Sequence, residues 1–221
     1  QINKIDKIDA FNNPISCFRI DYEEPFKSEL IEECIRMKIS TKSIDKEYMK
    51  FDHIAWQSPQ NLFTTEEPNL KKTSNLILSA AISTATSIAP DFDIKQYDLH
   101  GNGWVNVYEK GTMTIPHIHQ GSTFSGVFYV KLPKENREDD SIQTRSGCIE
   151  FLDPRNSVSS FSFQVPEFQN SFVFQEKITI VPKEGELFIF PAWLKHWVYP
   201  IKTNKDRISI SFNIWFATKN K

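Results

Sequence analysis

From Gly103 onward the chain alternates between apolar and polar residues. "WVNVY" (104–108), "SGVFYVKLP" (125–133), "GCIEFLD" (147–153), "SFVFQEKITIVP" (171–182), "GELFIFP" (185–191), "HWVYPI" (196–201) and "RISISFNIWF" (207–216) each show a two-residue rhythm or a short apolar run. Both are strand signals. Turn-forming Gly, Pro, Asn, Asp and Lys separate them, and no helical pattern intervenes. The second half therefore predicts a sandwich, jelly roll or small barrel. Upstream the rhythm is different. "FKSELIEECIRMKI" (26–39) and "NLKKTSNLILSAAISTATSIA" (69–89) carry apolar residues at three- and four-residue intervals, which predicts two helices. The stretch between them, around "FDHIAWQSPQNLFTTEEP", reads as loop or short strands. All seven glycines fall between residues 101 and 185. That shift divides the chain into a helical and irregular region, 1–100, expected to pack on the barrel and shape its entrance, and a β core, 101–221. The acidic-polar run "KENREDDSIQTRS" (134–146) reads as a solvated loop.

Composition narrows the class. Hydrophobic residues make up 39% and charged residues 24%, as in ordinary globular proteins. The 18 phenylalanines predict a core of large flat side chains. A net charge of −2 argues against a large nucleic-acid footprint. No apolar run approaches the roughly 18 residues of a membrane span, and no signal-peptide pattern is evident. Cys17, Cys34 and Cys148 are scattered and odd in number, so they form neither a disulfide framework nor a CxxC metal site. A reducing, cytoplasmic setting is expected.

The chain has five histidines, and two of them stand one residue apart in "PHIHQGS". In an extended segment residues i and i+2 share a face, so His117 and His119 project together while Ile118 points away. His196 follows on a late strand. Neutral imidazoles in this arrangement suit iron, zinc, copper or nickel. The plainer reading is three ordinary surface or core histidines. His53 and His100 have no such pattern and are read as non-ligands. In "DRISISFNIWF", Arg207, Ser209, Ser211 and Asn213 share one face, and Ile208, Ile210, Phe212 and Ile214 share the other. The apolar face belongs in a core. The polar one lines either an interior or solvent, and an inward arginine can clamp a carboxylate with two parallel hydrogen bonds. Trp104, Asn106 and Tyr108 likewise share a face, from which an amide and a phenol can donate to an anion.

Four ordered blocks, "PHIHQGSTFSGVFYVKLP", "SGCIEFLDPR", "GELFIFPAWLKHWVYP" and "DRISISFNIWF", resemble the Fe(II)/2-oxoglutarate-dependent oxygenases over roughly residues 101–216. The resemblance implies a mainly β protein with N-terminal helices, its core a double-stranded β-helix or jelly roll with iron at the open end. His117 matches the family's first metal ligand and His196 its last. Arg207 matches the residue that grips the distal carboxylate of 2-oxoglutarate. Ser209 would assist, as would Asn106 and Tyr108, whose N-x-Y-x-x-G spacing is similar to that of the dealkylating members. The family's middle ligand is an Asp or Glu two residues after the first histidine, and here that position is His119. Either His119 ligates, or a carboxylate such as Glu150 or Asp153 replaces it. Asp153 and Arg155 could instead pair with each other, and Trp193 and Trp197 are expected to pack around the site.

The implied reaction couples oxidative decarboxylation of 2-oxoglutarate to oxidation of a substrate C–H bond. Two other readings stay open. One is a three-histidine, cupin-like dioxygenase that binds substrate directly without 2-oxoglutarate. The other is a non-catalytic jelly-roll binding module. A small molecule or a peptide is the expected substrate, with no membrane partner, nucleic acid disfavoured, and a homodimer left open by analogy with other helical extensions.

Overall fold

The computed structural model describes residues 13–41, 55–133, 145–155 and 175–219. His53, most of the 134–146 loop and the start of the 171–182 segment lie outside the described residues. Among the described residues ten strands form two sheets. They are β1 (Ser16–Arg19), β2 (Trp56–Gln57), β3 (Tyr97–Tyr108), β4 (Thr114–His117), β5 (Phe124–Lys131), β6 (Ile149–Leu152), β7 (Lys177–Ile180), β8 (Glu186–Pro191), β9 (His196–Val198) and β10 (Arg207–Thr218). The larger sheet has the order β1-β8-β5-β10-β3-β2 and the smaller β4-β9-β6-β7. Every pairing is antiparallel, and the two sheets make the double-stranded β-helix.

Two helices, α1 (Phe26–Ser40) and α2 (Pro68–Ile88), cover the outer face of the larger sheet. The buried residues of α2 (Leu70, Thr73, Ser74, Ile77, Ala80, Ala81, Thr84 and Ala85) form one stripe, as an amphipathic helix requires. Of these, Leu70, Ile77, Ala80, Ala81 and Ala85 join Phe26, Leu30 and Cys34 of α1 in one core with the outward residues of β3, β5, β8 and β10. The buried carboxylate of Glu33 accepts from the backbone N–H of Asn69 and Leu70 and from the Asn69 side chain, at 2.8–3.2 Å. It thus satisfies α2's first free donors and complements the positive end of its dipole.

The alternation of β10 resolves cleanly. Ile208, Ile210, Phe212 and Ile214 are wholly buried beneath the helices. The polar face turns inward, toward the smaller sheet: Arg207, Ser209 and Asn213 are buried and Ser211 is half-buried, while β10 is paired along both edges, with β3 and β5. Sequence reading missed β1, placed β2 only within a stretch of loop or short strands, and started β3 too late; β1 and β2 lie at opposite edges of this sheet. The glycines that prompted the later start are packing residues. A Cβ at Gly101 would lie 2.8 Å from the Phe63 ring, and one at Gly103 would lie 2.7 Å from Leu62. The 3-10 turn Leu62–Thr64 therefore lies flat against β3. Gly126 is tighter still, since its Cβ would stand 2.3 Å from Phe212 and 2.5 Å from the Phe188 carbonyl oxygen. Backbone cannot yield as a side-chain tip does, so Gly126→Ala should destabilise by about 3 kcal/mol or more. Thermal unfolding should show this as a fall in Tm on the order of 6–12 °C, and an unchanged Tm would contradict the packing.

Candidate active site

β4 and β9 pair with His117 opposite His196. His119 follows just past the end of β4, where its backbone N–H donates to the Ala192 carbonyl at 2.9 Å. This bond ties the segment carrying the second histidine to the turn that leads into the third. The three rings stand 4.4–5.3 Å apart centroid to centroid. One ring nitrogen from each lies within 4.8 Å of the others, close enough to share one metal ion. The Nδ1 of His117 lies 2.7 Å from the Ile115 carbonyl oxygen, and that of His196 lies 2.8 Å from the Leu194 carbonyl oxygen. A carbonyl can only accept, so each Nδ1 carries the proton and each Nε2 keeps its lone pair. This is how metal-binding imidazoles are commonly oriented.

Burial reinforces that state. It lowers the pKa of His117, and it brings His119 to about 4 and His196 to about 3, with smaller contributions from the neighbouring imidazoles. All three are neutral near pH 7, the form that ligates metals.

The pocket holding these rings encloses about 480 Å³, part of it open to solvent. Trp104, Asn106, Tyr108, Tyr129, Arg207, Ser209 and Ser211 also line it. Arg207 lies at the far end from the histidines and is 1% exposed. Its Nη1 donates to Ser209 Oγ at 3.2 Å. Its Nε and Nη2 have no hydrogen-bond partner among the described residues. The guanidinium lies 4.4 Å from the Tyr108 ring centre and 5.1 Å from that of Tyr129. The Tyr129 hydroxyl is buried beside this guanidinium, with no other hydrogen-bond partner among the described residues. Burial pushes its phenol well above the ordinary range, so it remains a proton donor. A buried cation with idle donors is costly unless an anion completes it.

The predicted residues converge here, though not all in the same way. His117, His119, His196, Arg207, Ser209, Asn106 and Tyr108 all line this one pocket. The Tyr108 hydroxyl lies 2.7 Å from Thr114 Oγ1, and the Asn106 amide is bonded to Trp104 and Ser211. Tyr129 was missed because β5 is buried on both faces and gives no alternation. Glu150 stands elsewhere. Its strand neighbour Ile149 lines the pocket, so Glu150 faces the other way, where Tyr199, Thr179, Lys177 and Arg145 surround its carboxylate. Asp153 is held by Arg155 at 2.5–3.1 Å. Trp193 is half exposed, and Trp197 packs on Tyr199; neither lines the pocket. His100 stacks on Trp215.

A family model described as "Putative 2OG-Fe(II) oxygenase" matches residues 102–213, just over half of the chain. The chain belongs to this family of Fe(II)- and 2-oxoglutarate-dependent oxygenases. No curated protein matches it. Among solved structures it resembles a prolyl-4-hydroxylase from Pseudomonas putida, with 13% identity, TM-score 0.56, and 91% of this chain and 92% of that one covered. It also resembles a prolyl hydroxylase from Trichoplax adhaerens in complex with a hypoxia inducible factor peptide fragment (12%, TM-score 0.58, 91% and 80% covered). HygX from Streptomyces hygroscopicus, with nickel and 2-oxoglutarate bound, is similar at 11% identity and TM-score 0.57, with 92% and 83% covered. These likenesses are likenesses of fold. The residues present fit the family's metal and co-substrate. Three neutral imidazoles offer lone pairs at one point, and a buried guanidinium offers idle donors at another.

Proposed function

We propose that this protein is a hydroxylase-type oxygenase in which His117, His119 and His196 hold Fe(II). Arg207, assisted by Ser209 and Tyr129, holds the distal carboxylate of 2-oxoglutarate. The observation that carries this reading is the buried, incompletely paired guanidinium of Arg207 in the same pocket as the three imidazoles. When bound, the metal and co-substrate supply oxygen activation, with decarboxylation to succinate and oxidation of a substrate C–H bond. The chain's own residues bind and orient. Backbone carbonyls of Ile115 and Leu194 fix two imidazole tautomers. Apolar walls from Val127, Ile149, Phe190 and Val198 keep water from the clamp. Tyr108 lies beneath the guanidinium and keeps its plane in place.

His119 takes the middle ligand position, since neither Glu150 nor Asp153 joins the cluster. Three neutral ligands leave Fe(II) with its full double charge, which the doubly negative co-substrate neutralises. The substrate is a small molecule or a peptide; the Trichoplax relative was solved with a peptide. No helix among the described residues is long and apolar enough to cross a membrane, and Cys17, Cys34 and Cys148, none of them in a disulfide, fit a reducing compartment.

The test is anaerobic titration of metal-free protein with Fe(II), then 2-oxoglutarate, followed in the visible spectrum. A weak charge-transfer band requiring both additions is expected. Iron binding without such a band would favour a three-histidine dioxygenase that takes its substrate directly. No iron binding would leave a binding module.

A further inference from the structure

The inward faces of β3 and β10 carry a hydrogen-bond chain whose direction is fixed at its first member. Trp104 Nε1 lies 3.1 Å from Asn106 Oδ1, and Asn106 Nδ2 lies 2.9 Å from Ser211 Oγ. An indole N–H can only donate. The Asn106 oxygen must therefore face Trp104, and its NH₂ must face Ser211. Ser211 Oγ accepts that bond and keeps its own proton for another partner. Trp104 and Asn106 are nine-tenths or more buried, so water does not scramble the chain.

The proton has a defined place. Ser211 lines the same pocket as the histidines. In the strand register it stands opposite Trp104, whose ring lies 6.2 Å from that of His119. Arg207 shares its face two alternations away, on the order of 13 Å along the strand. Ser211 is thus level with the metal end of the pocket and not with the arginine clamp.

We infer that the Trp104–Asn106–Ser211 chain presents the Ser211 hydroxyl as a hydrogen-bond donor to the 2-oxoacid end of the bound co-substrate, the end that meets the metal. This rests on the function proposed above. It makes Ser211 a direct ligand of the co-substrate, and Asn106 and Trp104 positioning residues that act through it. Arg207 and Ser211 then recognise opposite ends of one molecule.

The two ends separate experimentally with pyruvate, which has the 2-oxoacid group but no distal carboxylate. Under anaerobic conditions with Fe(II), affinities for 2-oxoglutarate and pyruvate are read from the charge-transfer band in wild type, Ser211→Ala, Ser211→Thr and Trp104→Phe. Ser211→Ala should weaken both ligands by a similar factor, about tenfold or more for a bond to a charged acceptor, and should shift the band. Ser211→Thr, which keeps the hydroxyl, should restore affinity and band position. Trp104→Phe frees the Asn106 amide to turn, and should give a smaller loss with a band shift in the same direction. Wild-type affinity and an unmoved band in Ser211→Ala would overturn the inference, as would a loss confined to 2-oxoglutarate. A wild type that binds iron but shows no band with 2-oxoglutarate would instead remove the function on which it rests.

Discussion

Arg207→Met should lose 2-oxoglutarate roughly 100-fold or more, the cost of removing one partner from a buried charge pair, while Fe(II) affinity stays within about twofold. The argument is geometric. Arg207 is the first inward residue of β10, on the order of 13 Å along the strand from Ser211 at the metal end of the pocket. The same variant should not lower the Tm of the metal-free protein by more than about 2 °C. A buried charge lacking its partner opposes folding, and an apolar side chain of similar length fills the space without that cost. Loss of the contacts with the Tyr108 and Tyr129 rings works the other way and sets the margin. Arg207→Lys should fall between the two proteins, since it keeps the charge but not the planar fork. Calorimetric titration with Mn(II) in place of Fe(II) measures both affinities without turnover. Wild-type 2-oxoglutarate affinity in Arg207→Met would end the assignment of the clamp.

The second large effect concerns the metal. His196→Ala should reduce Fe(II) affinity on the order of 100-fold or more and abolish the charge-transfer band. His196 is the most deeply set of the three, pairing with His117 across the strands and held through Nδ1 by Leu194. His119→Asp should behave differently. It keeps a ligand at the same point, so iron should still bind. The carboxylate removes one unit of positive charge from the centre, so the doubly negative co-substrate should bind more weakly than in the natural protein. Equal 2-oxoglutarate affinity in His119→Asp would show that His119 lies outside the coordination sphere.

Much of this site was legible before the fold was known, because strand geometry turns spacing into direction. The one-residue gap between His117 and His119, and the alternation of β10 from Arg207 to Asn213, each depend only on a period of two. The same rule, applied to "GCIEFLD", would have set Glu150 apart from the pocket once Ile149 was placed inward. Other features had no sequence signal to give. β2 is two residues long and β1 four, too short for a period to show. Gly101 and Gly103 resembled a boundary, whereas they make room for Leu62 and Phe63, a contact set by residues some forty positions away. Tyr129 lies in a strand buried on both sides, where the chain reads as uniformly apolar. The direction of the Trp104–Asn106–Ser211 chain needed the register of β3 against β10 before it could be seen.

β10 carries two duties at single-residue spacing. Its even-numbered residues from 208 to 214 anchor the helices, and its odd-numbered residues from 207 to 211 line the pocket. The two sets point in opposite directions and share only backbone. A lineage that exchanged the odd set for other polar side chains would inherit the same barrel with a different appetite. Change in this strand can thus proceed along one face while the other holds still, and new chemistry need not wait for a new architecture.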